Sequence, residues 1–109
     1  MAVTATGVRE IIDESLTLLK EQNYGKDSTR LVSRLESVRS VLIRNEKKIW
    51  LRTKKGRGML ADVNDAAAKL REYLTSSGDL EAVEAALGDV EPLTRAIEDE
   101  SRKRNMVVT

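Results

Sequence analysis

The sequence lacks cysteine, histidine and phenylalanine, and it contains a single proline among its 109 residues. Without cysteine the chain has neither a disulfide nor a thiolate, which fits a reducing compartment. The joint absence of cysteine and histidine excludes nearly all zinc sites and every nucleophilic scheme that needs an imidazole base. We therefore expect no catalytic residue, no metal site, no cofactor and no small-molecule substrate, and we predict that the protein is not an enzyme.

Long apolar runs are also missing. No stretch approaches the roughly 18 apolar residues that a membrane-spanning helix needs. The first residues show no basic region followed by a hydrophobic one, as a secretion signal would. The sequence thus predicts a cytoplasmic protein without a membrane partner. Because aromatic residues make up only 3% of the chain, burial must come from many medium-sized aliphatic contacts along helix seams.

What the sequence does contain is helical periodicity. Apolar residues recur every three or four positions, and strand alternation is not convincing anywhere. The glycines at 25, 56, 58 and 88 and the proline at 92 suggest where helices stop or start. The prediction is an all-α fold, an antiparallel helical hairpin followed by shorter C-terminal helices. A single domain over 1–104 would hold helices at about 7–24, 28–55, 59–76, 80–87 and 91–102, with a frayed tail at 105–109.

The net charge of +1 hides a strong segregation along the chain. Residues 26–57 hold eleven basic and three acidic residues, whereas residues 58–100 hold three basic and eleven acidic ones. Such blocks suggest a polyanionic partner for the middle segment. The other interpretation is that the acidic part neutralises the basic part within one fold. Composition leaves both open.

The second predicted helix carries a basic stripe. At 100° per residue, six cations share a sector of about 80° that rises roughly 37 Å along the helix. Ser37 lies within the stripe and Lys47 broadens it, and no acidic residue interrupts it, although a merely soluble face usually mixes signs. We interpret it as a surface for successive phosphates of a duplex, RNA in preference to DNA; the alternative is a solvated face. The six cations are Arg30, Arg34, Arg44, Lys48, Arg52 and Lys55.

An apolar seam runs beside the stripe. Its members are spaced alternately four and three residues apart, as in a coiled coil, and one of them is polar. Such a seam predicts packing against another helix, of the same chain or of a second copy, with the asparagine setting the register or the choice of partner. The seam comprises Leu31, Leu35, Val38, Leu42, Asn45 and Ile49.

This organisation resembles the small RNA-silencing suppressor of insect nodaviruses. The resemblance covers about residues 8–76 and rests on chain length, on the hairpin of residues 8–24 and 28–55, on a third helix after a short break, and on the basic residues of the second helix. It implies a viral homodimer in the host cytoplasm, with two copies paired into an antiparallel four-helix bundle, that shields double-stranded RNA. It also implies backbone contacts from Arg30, Arg34, Arg44, Lys48 and Arg52.

A second class of function stays open. The chain could be a helical protein–protein interaction module, a chaperone or adaptor of phage or bacterial origin, with no nucleic-acid role. The acid-free stripe favours a polyanion, whereas the seam suits either function.

Overall fold

The structure, a computed structural model, describes residues 3–76 and 78–107. Within these ranges the chain forms α1 (Ala5–Glu21), α2 (Asp27–Asn45), a 3-10 helix (Ile49–Arg52), α3 (Lys54–Ser76) and α4 (Leu80–Val107). The same ranges contain no strand, which confirms the all-α prediction. None of the described helices is both long and apolar enough to cross a bilayer.

The first helix follows its sequence signals closely. The Thr4 hydroxyl accepts a hydrogen bond from the Gly7 amide at 3.0 Å, so the helix predicted from about residue 7 begins at Ala5. Val8, Ile12 and Leu19 are almost completely buried on one face. The chain then turns through Gly25, whose φ of 63° is a conformation that favours glycine, and enters α2.

The four helices pack as a bundle within one chain. α1 packs against α2 and α3, and α4 packs against the same two helices, so each helix has two neighbours around a common core. α4 runs parallel to α2, because Arg30 pairs with Glu84 at one end and Arg44 with Glu98 further along both helices. A single chain therefore builds the four-helix arrangement that the resemblance assigned to two copies.

The predicted helix 28–55 is wrong, because α2 ends at Asn45. Two turn residues follow, and Lys48 is extended, with φ −70° and ψ 126°. Glu46 fixes the break by reaching α1: its carboxylate accepts a hydrogen bond from the Thr6 hydroxyl at 2.6 Å and lies 3.3 Å from Arg9 Nε. Glu46 itself keeps helical backbone angles, with φ −54° and ψ −36°, and the chain leaves the line of α2 after it.

The start of α3 after this break is also fixed by particular side-chain contacts. Thr53 caps α3, accepting from the Gly56 amide at 3.2 Å while its hydroxyl donates to the Trp50 carbonyl. Trp50 is buried and donates from Nε1 to the Ser101 hydroxyl at 2.7 Å, which fastens the 3-10 helix to the end of α4. Gly56, predicted to lie between two helices, is inside α3, and the helix starts five residues before the predicted 59.

The two predicted helices at 80–87 and 91–102 form one helix, α4. Val83, Leu87, Val90 and Ile97 are all buried, so one apolar seam continues past Pro92 and outweighs the hydrogen bond that a proline removes. The exposed face holds Gly88 and Pro92, where water can satisfy the freed carbonyl. α4 extends to Val107, so residues 105–107 of the predicted tail are helical, while 108–109 lie outside the described residues.

The seam is used within one chain. Its first five members, Leu31, Leu35, Val38, Leu42 and Asn45, are buried, whereas Ile49 is 80% exposed and does not belong to it. Ile49 leaves the seam because α2 ends four residues earlier. The side chain of Asn45 donates to the Val41 carbonyl at 2.7 Å and to Glu98 Oε2 at 2.6 Å, so its partner is an acid of α4 in the same chain.

Candidate polyanion-binding surface

The bend divides the six cations of the predicted stripe between four parts of the chain. Arg30, Arg34 and Arg44 lie on α2, and we call them the α2 row. Lys48 lies in the connection after α2, and Arg52 belongs to the 3-10 helix. Lys55 lies in the first turn of α3, where its Nζ is 3.0 Å from Glu100 Oε1. The straight rod that was expected to follow a duplex for about 37 Å is therefore absent.

Three glutamates of α4 face the α2 row. Arg30 Nη2 lies 3.0 Å from Glu84 Oε1. Arg34 donates two hydrogen bonds to the Glu91 carboxylate, of 2.6 Å and 3.1 Å. Arg44 Nε lies 3.2 Å from the carboxylate of Glu98, the next acid along α4. The row thus meets carboxylates of its own chain where phosphates were expected.

The hydrogen bonds hold the carboxylates of Glu91 and Glu98 in their charged forms. The hydrogen bonds from Arg34 lower the pKa of Glu91 below its usual range. The pKa of Glu98 is lowered first by the hydrogen bond from Asn45 and then by the charge of Arg44. At neutral pH the row and its acids therefore neutralise each other, and a polyanion would have to displace three carboxylates to reach it.

α4 cannot simply move aside. Its Val83, Val90 and Ile97 are fully buried, and removing the helix would expose that apolar surface to water at about 25 cal/mol per Å². The acids that cover the α2 row are therefore part of the core-forming element. The α2 row is therefore paired with acids of the same chain, and a polyanion would compete with them for it.

Ser37 has a local role. Its hydroxyl donates to the Ser33 carbonyl one turn earlier at 3.2 Å, and the side chain is exposed in a shallow groove between α2 and α4.

A second group of cations lies at one end of the bundle, which we call the basic end. Residues 47–58 include six basic residues and no acidic one. Apart from Lys55, none of the six has an ion pair within residues 3–76 and 78–104, and all five are exposed or half-buried. Here the α2–α3 connection meets the start of α1. The five residues of the basic end are Lys47, Lys48, Arg52, Lys54 and Arg57.

The fold brings one more cation beside this group. Arg102, near the end of α4, lines a small depression with Lys48 and Arg44. The sequence placed Arg102 at the end of the predicted helix 91–102, and no local signal pointed to it as part of a site. Its position follows from the parallel packing of α2 and α4, which places the end of α4 beside the end of α2.

Sequence reasoning also missed the acids that cover the α2 row, although a signal was present. Glu84, Glu91 and Glu98 are seven residues apart, so they share one face of a single continuous helix. Predicting a break between 87 and 91 hid this repeat.

The described residues contain no group of three or more acidic side chains placed to hold a metal ion. Comparison of the chain with protein-family models, with curated protein sequences and with solved structures gives no match. The resemblance to the nodavirus suppressor consequently stays a prediction.

Proposed function

We propose that the protein is a non-enzymatic nucleic-acid-binding protein that holds the phosphate backbone of duplex RNA at the basic end. One observation carries the proposal. The α2 row is matched by acids of the same chain, whereas five cations within eleven residues, from Lys47 to Arg57, have no ion pair among the described residues. Cations without intramolecular partners are the ones free to exchange counterions for phosphates.

The shape of the basic end favours a short footprint. Its cations surround the α2–α3 connection instead of following a rod, so it can reach adjacent phosphates of one backbone but not a full duplex turn of about 34 Å. Lysine and arginine contacts to phosphates carry no sequence information. We expect binding that is independent of sequence and strongly dependent on salt.

The preference for RNA over DNA now depends on the resemblance alone. The long helix that was expected to lie across a groove is absent, because α2 ends at Asn45. If the resemblance holds, the activity is suppression of RNA silencing by a viral protein in the host cytoplasm. We propose one chain as the binding unit, because the seam that could join two copies is already buried within one; light scattering checks the copy number.

Binding of a fluorescent 20-base-pair RNA duplex at several salt concentrations tests the proposal. With three to five phosphate contacts, the logarithm of the affinity should fall against the logarithm of salt concentration with a slope of about −3 to −4.5. Lys54→Ala should make that slope less steep by about 1. Exposed Lys20, on α1 and outside the basic end, supplies the matched control Lys20→Ala. No binding at low salt would overturn the proposal, and equal binding of duplex DNA would remove the RNA preference.

One observation favours the alternative, a protein–protein interaction module. Ile49 is 80% exposed at the basic end, and a large apolar side chain in that position suits an acidic partner with an apolar anchor. Ile49→Ser separates the two functions. It should leave RNA affinity unchanged if phosphates are the partner, and it should abolish partner binding if Ile49 is an anchor.

A further inference from the structure

A pocket of about 490 Å³ opens within the basic end, between the start of α1 and the α2–α3 connection. Its volume falls in the range of about 300–1,000 Å³ that is usual for sites of small organic ligands. Four of the five cations of the basic end line it: Lys47, Lys48, Arg52 and Arg57. The fifth, Lys54, does not.

One acid, Glu46, also lines the pocket. The Glu46 carboxylate accepts from the Thr6 hydroxyl at 2.6 Å and pairs with Arg9, which lies outside the lining. The hydrogen bond from Thr6 and the charges of Arg9 and Lys47 lower the pKa of Glu46, so it stays ionised at neutral pH. The pocket wall therefore carries four positive charges and one negative charge, which interacts with Lys47 in the wall and with Arg9 outside it.

The rest of the pocket wall has an apolar part and a polar part. Leu51, Leu60, Val3 and Ala5 supply an apolar part. Thr4 lies on the rim, and because its hydroxyl oxygen accepts from Gly7, its hydrogen is available to a ligand oxygen. A ligand that fits has a strongly anionic group joined to a body with apolar surface.

We propose that this pocket binds the phosphomonoester of a nucleotide, either at the 5′ end of an RNA strand or in a free nucleotide. A phosphomonoester carries a charge of about −1.5 to −2 at neutral pH and exposes three oxygens, more than a backbone diester offers. A strand end can enter a concave pocket, whereas a continuous backbone must pass across its mouth. The sugar and base would then lie against Leu51 and Leu60. The strand-end form of this inference depends on the function proposed above.

The test uses two 20-base-pair RNA duplexes that differ only in the presence of a 5′-phosphate. Charge-assisted hydrogen bonds in a partly open pocket should make the phosphorylated duplex bind about tenfold more tightly. Adenosine monophosphate should compete for that preference, and inorganic phosphate and adenosine should compete more weakly. Circular dichroism confirms that each variant is folded.

Lys48→Ala and Lys54→Ala form the matched pair, because each removes one positive charge from the basic end but only Lys48 lines the pocket. Lys48→Ala should remove most of the preference for the phosphorylated duplex. Lys54→Ala should weaken both duplexes equally and leave the preference intact. Loss of the preference in both variants would mean that net charge decides it, which overturns the pocket.

The remaining outcomes separate this inference from the proposed function. Equal affinity for the two duplexes overturns the pocket and leaves RNA binding standing. A further outcome is that the protein binds adenosine monophosphate but neither duplex. If Lys48→Ala abolishes that nucleotide binding, the result supports the pocket with a free nucleotide as its ligand and overturns the RNA proposal. Competition by inorganic phosphate as strong as that by adenosine monophosphate overturns the assignment to a nucleotide, and no binding of any probe overturns both proposals.

Discussion

At the scale of single residues, two basic residues of the one predicted stripe differ in their partners. Arg34 and Lys48 share one stripe on a helical wheel of 28–55. In the structure Arg34 is half-buried against Glu91, while Lys48 lies in a pocket wall without an ion pair among the described residues. Positive charge alone therefore did not predict a binding role. Whether a cation is paired depends on whether the fold brings an acidic side chain next to it.

Arg34→Ala should lower stability and leave RNA affinity nearly unchanged. The pair with Glu91 is only partly exposed, at 28% and 25% of the two side chains, and has two hydrogen bonds, so we expect a loss of about 1 kcal/mol. Urea denaturation of Arg34→Ala, Glu91→Ala and the double variant measures the coupling between them. Strictly additive losses, or a loss of RNA binding without a loss of stability, would contradict the structural role.

Acid should weaken the bundle through these same carboxylates. The folded-state pKa values of Glu91 and Glu98 lie below the unfolded value of about 4.3. Their contribution to stability is therefore complete above the unfolded pKa and is lost as the pH falls through the folded pKa. We expect urea midpoints that are nearly constant from pH 7 to about 5 and that fall below about pH 4.

Glu98→Gln should reduce that acid-dependent fall in stability. Glu36→Gln, at an exposed position of α2 with no ion pair among the described residues, is the control and should leave the fall unchanged. Midpoints at pH 3.5 that match those at pH 7 would contradict the proposed contribution of the α2–α4 pairs.

At the scale of elements, the sequence predicts interiors of helices better than their connections. The seam positions from Leu31 to Asn45 were identified correctly, because their spacing reflects the pitch of the helix. The break after Asn45 was missed because the apolar periodicity continues by chance to Ile49. Its causes are tertiary, namely the contacts of Glu46 with α1 and of Trp50 with α4. One local signal was available, since Thr53 is a favourable N-cap for a helix beginning at Lys54.

Two glycines of α3 test the restart after the break. A Cβ at Gly56 would overlap the Leu51 Cα and the Trp50 carbonyl oxygen, whereas a Cβ at Gly58 would meet no atom within 4 Å. Gly56→Ala should therefore destabilise the protein by about 1–3 kcal/mol. Gly58→Ala should stabilise it by up to about 1 kcal/mol, since alanine favours a helix. Thermal denaturation measures both, and equal effects would contradict the close packing of α3 on the 3-10 helix.

At the scale of the whole molecule, charge segregation supported two interpretations, and the fold bears on one of them. The acidic part of the chain does neutralise the α2 row, through the parallel packing of α4 on α2. The cations of the basic end are left over because no acid of α4 pairs with them. Composition could not separate these groups, since the separation depends on which helices become neighbours.

The most direct measurement compares two triple variants with the same change in net charge. Lys48→Ala with Arg52→Ala and Arg57→Ala removes three cations of the basic end, whereas Arg30→Ala with Arg34→Ala and Arg44→Ala removes the α2 row. For a 20-base-pair RNA duplex at low salt, and with folding verified, we predict a loss of about 30-fold or more for the first triple and about threefold or less for the second. Equal losses, or a greater loss for the row variant, would contradict the account.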